Sequence, residues 1–447
     1  MKKIFMVGLF ALLIMQACKK DQQDLIDGKR PEQRVAEDLE KYRNELVNSP
    51  NGWVAYLGTT LVGGGYNFYM SFDKENKVIM RADYDSDIAL ESIQSTYRIK
   101  QVMAPSLIFD TYNLLHLLQD PNPDFFNGDL AVGYGSDFEF EIREQVGDTI
   151  KLVGKKQKAS LLLVKATADQ KAFYTSDAFS ESIDGITGYL KNNPFTYILD
   201  PKDNTKKIQV SISPDVRSRT FSLISLSGTE IVTNSGIFSF SIGGARLNNP
   251  IKNGDEIYVS ISWDATANKL FLVSTKGTKT EILASALPIM PLHVVMGGTV
   301  SSINLDGQAT LPGAGQTFVT AYTTLKTSVA AAFATPTIVR DLKVIFNSTK
   351  KTMIISINVV QNGTSVFPAI YTYNYTKTDA GEYKFTDLVT SGGGGSAILS
   401  RMRTFILNRV EAQTFLLDYY NDQANQRVLG KFSSKETPDF TLTGVLK

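Results

Sequence analysis

Apolar and polar residues alternate over short stretches through most of this chain, which is typical of strands that bury one face. In the first third the alternation predicts eight strands: Trp53–Leu57, Tyr66–Phe72, Lys77–Asp83, Ser95–Gln101, Ser106–Asp110, Phe138–Arg143, Thr149–Val153 and Ser160–Lys165. Glycine- and asparagine-containing turns separate them, and a helical or irregular patch around Tyr112–Leu118 interrupts them. Many short strands with such turns predict a closed antiparallel barrel or a sandwich.

A helical pattern precedes these strands. Between Pro31 and Val47, apolar residues recur every three or four positions, at Val35, Leu39, Tyr42 and Leu46. This spacing places them on one stripe, and Pro31 suits the first helical turn. We therefore expect a helix over residues 31–47 that docks on the first domain.

The alternation returns twice later in the chain. It predicts middle strands at Lys207–Ser211, Thr220–Leu226, Ile237–Ile242, Glu256–Trp263, Lys269–Ser274 and Lys279–Ala284. After a helix near Thr317–Phe333, it predicts strands at Leu342–Phe346, Met353–Val359, Ile370–Thr376, Tyr383–Thr386, Thr414–Tyr420, Arg427–Lys431 and Thr441–Leu446. Four consecutive glycines, Gly392–Gly395, predict a mobile loop or the lead-in to a helix near Ala397–Asn408.

The predicted fold class is mainly β with a few helices: antiparallel barrel-like or sandwich domains, of which a lipocalin- or calycin-like barrel is one form, after an N-terminal helix. The predicted segments are a signal peptide (1–17), a lipidated flexible tether (18–30), the N-terminal helix with a barrel-like domain (31–185), a central β domain (186–312) and a C-terminal α+β domain (313–447).

The first residues carry an export pattern. Lys2 and Lys3 precede the apolar run Ile4–Met15, which is shorter than the roughly 20 residues that a membrane-spanning helix needs. A basic start and a short apolar run are typical of a secretory signal peptide. The run ends at Ala17-Cys18, which resembles the bacterial lipobox and predicts lipidation of Cys18. We expect an outer-membrane lipoprotein, with the cell surface favoured over the periplasmic face; the alternative for Cys18 is a buried free thiol.

The amino-acid composition argues against several classes of function. The 447 residues include 46 Lys and Arg against 45 Asp and Glu, and a net charge of +1 gives no reason to expect a nucleic-acid partner. With two histidines and one cysteine, a zinc finger or an iron–sulfur cluster is excluded. Asp137, Glu139 and Glu141 alternate on one predicted strand face with Asp129 nearby, but no calcium-loop motif accompanies them. We predict no metal and no cofactor.

Several short stretches resemble, in the same order, the DUF4302 family of Bacteroidota lipoproteins. They are Gly52-Trp53, Ser95-Thr96-Tyr97, Pro105–Asn113 with His116, Gly133–Phe140, Leu152–Lys156, Phe238-Ser239-Phe240, Asn249-Pro250-Ile251 and Ile261–Asp264. The resemblance covers most of the chain after about Arg34. It implies a protein of uncharacterised function beside a SusC/SusD-type uptake system, with an accessory role in capturing a nutrient, and it supplies no catalytic residue.

The stretch around Tyr112 carries the candidate ligand-binding residues Asp110, Tyr112, Asn113 and His116. One interpretation is a set of polar contacts at a barrel mouth. The other is a turn in which Asp and Asn cap backbone groups and His satisfies a buried carbonyl. Separately, Asp148-Thr149-Ile150 resembles a Bacteroidota O-glycosylation signal, which makes Thr149 a candidate for modification.

No recognised catalytic motif is present: the sequence has neither the G-x-S-x-G elbow nor H-E-x-x-H, and His293 lies in an apolar run that predicts a core strand. We therefore expect a non-enzymatic protein that binds a peptide or glycan. The alternatives are a structural or adhesive surface protein and an unrecognised hydrolase.

Overall fold

The chain folds into closed antiparallel β-barrels. The computed structural model describes residues 29–61, 64–307 and 309–447, of which the strands make up 48% and the helices 21%. Three sheets of eight strands each close on themselves. The predicted fold class, mainly β with barrel-like antiparallel domains, is confirmed.

The first barrel contains the eight strands that the sequence predicts, with small shifts at their ends. They are β1 (Trp53–Gly58), β2 (Gly65–Phe72), β3 (Lys77–Ala82), β4 (Ile93–Gln101), β5 (Pro105–Phe109), β6 (Glu139–Val146), β7 (Thr149–Gly154) and β8 (Ser160–Lys165). The barrel closes where β1 pairs with β8, with Trp53 opposite Lys165. Helix α1 spans Pro31–Val47, as predicted, and Leu46 contributes to the barrel's core cluster. Short helices α2 (Ser86–Leu90), α3 (Leu114–Leu117) and α4 (Pro123–Phe126) interrupt the strands.

The second barrel follows two helices that the sequence pattern does not resolve, α5 (Ala168–Thr175) and α6 (Ala178–Asn192). Its strands are β9 (Phe195–Asp200), β10 (Asp203–Ser213), β11 (Thr220–Ser227), β12 (Glu230–Ser241), β13 (Gly244–Asn253), β14 (Glu256–Asp264), β15 (Lys269–Ser274) and β16 (Lys279–Ser285). Strands β9 and β13 lie outside the predicted strands.

The third barrel follows helix α7 (Leu292–Val295). Its strands are β17 (Ser302–Asp306), β18 (Thr337–Asn347), β19 (Thr352–Gln361), β20 (Ser365–Lys377), β21 (Glu382–Ser391), β22 (Phe415–Asp422), β23 (Arg427–Ser434) and β24 (Thr441–Leu446). Helix α8 (Gln316–Ala330) joins β17 to β18. Between β21 and β22 lie helix α9 (Leu399–Met402), a π-helical turn (Arg403–Leu407) and helix α10 (Asn408–Ala412). Strand β17 was not predicted, and it precedes the predicted start of the C-terminal domain at residue 313.

One prediction in this region is wrong: His293 belongs to helix α7 and not to a core strand. The glycine run Gly392–Gly395 leads into the helical segment that begins with α9, which is one of its two predicted forms. The run is packed: the N–H of Gly394 donates to the carbonyl of Pro368, and the Tyr371 hydroxyl donates to the carbonyl of Gly395. A side chain at Gly392 would collide with the backbone of Pro368, so these glycines allow close approach.

The chain divides into two compact units. One contains the residues up to Tyr189 together with Ile212–Phe221 and Gly236–Lys279, and the other contains Leu190–Ser211, Ser222–Ser235 and the residues from Thr280 onward. Among the described helices, none has the length and apolar character that crossing a membrane requires. The predicted signal peptide (1–17) and Cys18 lie outside the described residues, as does most of the predicted tether (18–30).

Candidate ligand-binding site

A cavity of about 270 Å³ opens beside helix α3 in the first unit. Its walls come from three segments: the chain around α3, the loop that precedes β6, and the turn between β7 and β8. The lining residues are Tyr112, His116, Gln119, Asp120, Pro121, Ala131, Val132, Phe138 and Lys156. The cavity therefore combines aromatic rings, aliphatic side chains and a few polar groups, as small-molecule sites do.

Asn113 fixes the position of His116. The Asn113 side-chain oxygen accepts hydrogen bonds from the backbone N–H groups of Leu115 and His116 and so caps helix α3. The same oxygen lies 2.9 Å from Nδ1 of His116. Because an amide oxygen has no proton to give, Nδ1 must carry the proton. In the neutral imidazole, Nε2 is then a hydrogen-bond acceptor.

The imidazole is part of an aromatic stack. The ring centroids of His116 and Phe138 are 4.4 Å apart with an angle of 16° between the planes, and those of Tyr112 and His116 are 5.5 Å apart with an angle of 29°. Tyr112 remains 57% exposed although it lines the cavity. The stack therefore offers a ligand a flat ring that neighbouring rings hold in place.

The titratable groups of this stack have defined protonation states near neutral pH. Partial burial lowers the pKa of His116, which favours the neutral ring. Desolvation, together with the adjacent Asp120 carboxylate, raises the pKa of Tyr112 to about 12. The Tyr112 hydroxyl donates to Oδ2 of Asp120 at 2.7 Å, so its proton is already used within the protein.

The aliphatic wall depends on a tightly folded loop. The N–H of Ala131 donates to the carbonyl of Pro121 at 2.8 Å, and the N–H of Tyr134 donates to the carbonyl of Leu118 at 2.8 Å. Ala131 and Gly133 both have positive φ, at +70° and +60°. A Cβ atom at Gly133 would lie 2.7 Å from the Leu118 carbonyl oxygen, so glycine is required there. The loop is thus held against the α3 segment, with Ala131 and Val132 at the cavity.

A buried carboxylate holds Lys156 in place. Asp137, which is 2% exposed, accepts hydrogen bonds from the backbone N–H groups of Lys156, Gln157 and Ala159 at 2.8–3.2 Å. This fixes the turn between β7 and β8. Lys156 forms no ion pair with any carboxylate in the described ranges. Its ammonium group is therefore available to a ligand at the cavity.

Gln119 supplies an unsatisfied acceptor. Its Oε1 atom is buried, and within the part of the chain that the structure describes nothing donates a hydrogen bond to it. A buried polar atom without a partner is costly, and such atoms in folded proteins need an explanation. Gln119 lines the cavity, but its Oε1 atom has almost no accessible surface and is closed to a ligand in this conformation.

The structure brings together two of the four predicted ligand-binding residues. Tyr112 and His116 line the cavity, whereas Asp110 pairs with Arg98 at 2.9 Å and Asn113 is a buried helix cap. Asn113 caps backbone groups as the second interpretation expects, whereas Asp110 forms an ion pair and His116 bonds the Asn113 side chain. Ligand contact at Tyr112 and His116 stays a prediction. Thr149 begins β7 next to the Gly147 turn.

Seven lining residues are not among the predicted site residues. Five lie on the α3 segment and the loop that follows it: Gln119, Asp120, Pro121, Ala131 and Val132. The other two are Phe138, directly before β6, and Lys156, in the turn between β7 and β8. Gln119, Asp120 and Pro121 follow the candidate stretch directly, so their proximity was the one available signal.

The acidic strand face has partners inside the protein. Asp137 binds backbone amides, Glu139 pairs with Lys155, Glu141 pairs with Arg143, and Asp129 pairs with Arg217. Within residues 29–61, 64–307 and 309–447, no group of three or more His, Cys, Asp or Glu side chains is placed to hold a metal ion.

Two further grooves lie in the second unit. One, of about 400 Å³, runs between α8 and the π-helical turn and is lined largely by threonines with Arg409. The other, of about 180 Å³, lies beside Gly393 and Gly394 and is mainly apolar. Neither combines a stacked aromatic surface with an unpaired buried acceptor, so the cavity at Tyr112 is the stronger candidate.

Comparison with known proteins identifies a family but no activity. A family model described as "Domain of unknown function (DUF4302)" matches residues 26–265, more than half of the chain. No curated protein matches. A Trp-176-Ala mutant of transferrin binding protein B from Haemophilus parasuis Hp5 is 9% identical, with 88% of this chain and 75% of that chain covered and a TM-score of 0.12. MucB is 7% identical, with 83% and 97% covered and a TM-score of 0.10. Likenesses this weak establish neither fold nor function.

Proposed function

The chain belongs to the family described as a domain of unknown function, DUF4302, and we propose that it is a non-enzymatic capture protein. In this proposal a lipid on Cys18 holds it at the outer membrane, on the cell surface, where it binds a nutrient peptide or glycan beside a SusC/SusD-type transporter. The cavity at Tyr112 carries the proposal, because it offers a stacked aromatic surface together with unpaired polar groups.

The chemistry of the cavity supports binding without turnover. Nucleophilic catalysis commonly uses Ser, Thr or Cys beside a base, and the side chains lining the cavity include none of these three. The Tyr112 hydroxyl lies beside the Asp120 carboxylate, but its pKa is raised to about 12, which disfavours the nucleophilic phenolate. Glycoside hydrolysis by the common route needs two carboxylates, whereas Asp120 is the one acid in the lining. His116 has its Nδ1 occupied by an amide and not by a carboxylate that would stabilise an imidazolium.

Calorimetry tests the proposal. The chain from Asp24 onward, which keeps every described residue, is titrated with a pool of tryptic peptides and with a panel of oligosaccharides. We expect saturable binding with a Kd of about micromolar to tens of micromolar, and no product after prolonged incubation. Turnover of any panel member would favour the hydrolase alternative. Absence of binding to every member would favour a structural or adhesive protein.

The transporter partnership has its own test. Affinity purification from gently solubilised membranes of the native organism should recover a SusC/SusD-type pair with the lipidated protein. Recovery of envelope structural proteins without a transporter would contradict this part of the proposal while leaving ligand binding intact.

A further inference from the structure

We infer that the ligand is a glycan, bound as a sugar ring on the exposed ring of Tyr112 with a sugar hydroxyl donating to Nε2 of His116. This inference rests on the proposed capture function and deepens it by choosing between a peptide and a glycan. The choice follows from the shape of the cavity, from its hydrogen-bonding atoms and from the closure of the barrel.

The shape of the cavity favours one ring. Its volume of about 270 Å³ lies just below the roughly 300–1,000 Å³ of sites that enclose drug-sized ligands. Its lining includes Tyr112, which is 57% exposed and stacked on His116, together with the aliphatic residues Pro121, Ala131 and Val132. A pyranose ring has an apolar C–H face for the aromatic plane and a hydroxyl-bearing edge for polar atoms.

The available hydrogen-bonding atoms match hydroxyl groups. Nε2 of neutral His116 is an acceptor to which no described residue donates a hydrogen bond. The ammonium group of Lys156 is a donor. Tyr112 does not offer the ligand a donor, because its hydroxyl already donates a hydrogen bond to Asp120. A sugar carries several O–H groups that each donate and accept, whereas an extended peptide offers one N–H per residue.

The usual modes of peptide capture lack a site here. A peptide commonly adds as a strand to an exposed sheet edge or lays a helix into a long apolar groove. The first barrel is closed by the pairing of β1 with β8, so its sheet has no free edge. The cavity is short and is lined by only three aliphatic residues.

The experiment compares the two ligand classes on matched variants of the chain from Asp24 onward. The probes are oligosaccharides of glucose, galactose, mannose, N-acetylglucosamine and galacturonic acid, and tryptic peptides of casein, titrated by calorimetry. We expect at least one oligosaccharide, and no peptide fraction, to bind. Tyr112→Ala should weaken that binding about tenfold or more through loss of the stacking surface. Tyr112→Phe should change it less than about threefold, since the hydroxyl is used by Asp120.

Two more variants complete the test. His116→Phe removes the acceptor Nε2 and keeps an aromatic ring beside Tyr112, and it should weaken binding about fivefold or more. Phe125→Ala removes an aromatic ring that is 67% exposed but does not line the cavity, and it should leave binding unchanged. Circular dichroism confirms that each variant is folded.

Peptide binding that Tyr112→Ala abolishes would overturn the glycan assignment and keep the capture function. Glycan binding unaffected by Tyr112→Ala and His116→Phe would overturn the site, and no binding of either class would overturn the capture function itself.

Discussion

Asp83 and Arg219 form an ion pair in which neither side chain has exposed surface, with Nη1 of Arg219 at 2.8 Å from Oδ2 of Asp83. The Asp83 carboxylate also accepts the backbone N–H groups of Asn67 and Phe240. The Arg219 guanidinium donates to the backbone carbonyls of Asp83, Tyr84 and Pro214 and lies 4.7 Å from the ring centroid of Phe240. The pair therefore joins segments far apart in sequence within one unit.

Breaking this pair should destabilise that unit strongly. Arg219→Met leaves the Asp83 carboxylate buried without its cation, and loss of one partner of a buried pair costs about 3–5 kcal/mol of unfolding free energy. Arg217→Met removes the ion pair between Arg217 and Asp129, in which both side chains are about half exposed. This loss should lower the unfolding free energy by at most about 1 kcal/mol. Urea unfolding followed by tryptophan fluorescence measures both, because both tryptophans, Trp53 and Trp263, belong to this unit. Equal losses in the two variants would contradict the prediction.

A second prediction concerns the turn between β7 and β8, which contains Lys156. A Cβ atom at Gly154 would lie 1.9 Å from Oδ2 of Asp137, so Gly154→Ala must displace the buried carboxylate. We expect a loss of about 2 kcal/mol or more and weaker ligand binding. Gly188→Ala is the control: it lies in helix α6 with no atom within 4 Å of the new Cβ, and alanine there should add about 0.5–1 kcal/mol. A Gly154→Ala protein as stable as the wild type would show that Asp137 does not constrain this turn.

Acidification should weaken both the first unit and its ligand binding through His116. Burial lowers the pKa of His116 below its usual value near 6.5. Between the folded and unfolded pKa values, the unfolded chain binds more protons, so the unfolding free energy falls as pH drops from 7 through about 6.5 and below. Protonation also turns the acceptor Nε2 into a donor. Tyr112, Asp120 and Lys156 are the other titratable groups at the cavity.

The measurement compares wild type and His116→Gln between pH 7.5 and 5.5, by tryptophan-monitored unfolding and by calorimetry with the bound oligosaccharide. The variant should show a flatter pH dependence in both. Burial also lowers the pKa of His293, which lies in the other unit. His293→Gln should therefore leave both profiles unchanged. A pH profile that persists in His116→Gln would assign the titration to a different group.

The proposed anchoring depends on one residue, Cys18. Cys18→Ala should release the protein from the membrane fraction, because a single diacylated cysteine is the proposed attachment. Fractionation followed by immunoblotting, with mass spectrometry of the N-terminal peptide, measures the change. A Cys18→Ala protein that stays in the membrane fraction in a strain lacking the transporter pair would contradict the lipoprotein assignment.

The sequence predicted strands such as β3 because buried and exposed positions alternate there, with Val78, Met80 and Ala82 buried. It missed β13 because Gly244 begins the strand and Asn248, Asn249 and Pro250 break the alternation. In β9 only Thr196 and Ile198 are buried, too few for a recognisable period.

The candidate site was predicted only in part for a similar reason. Tyr112 and His116 stand out as polar-tipped residues within a short apolar stretch. Phe138 directly precedes β6, and Lys156 lies in the turn between β7 and β8. Only the pairing of the barrel strands places these two residues near helix α3. A single sequence carries no signal for such tertiary proximity. The unpaired Oε1 of Gln119 becomes visible only when every neighbouring donor is placed.

In every barrel the first strand is hydrogen-bonded to the last. Trp53 is opposite Lys165, Phe195 is opposite Ser285, and Ile303 is opposite Leu446. The chain therefore enters and leaves each barrel at adjacent points. A gene segment that encodes one such barrel can be duplicated or inserted at a linker without opening any existing sheet. This topology provides a simple route by which a chain with three barrels grows from a shorter ancestor, one closed module at a time.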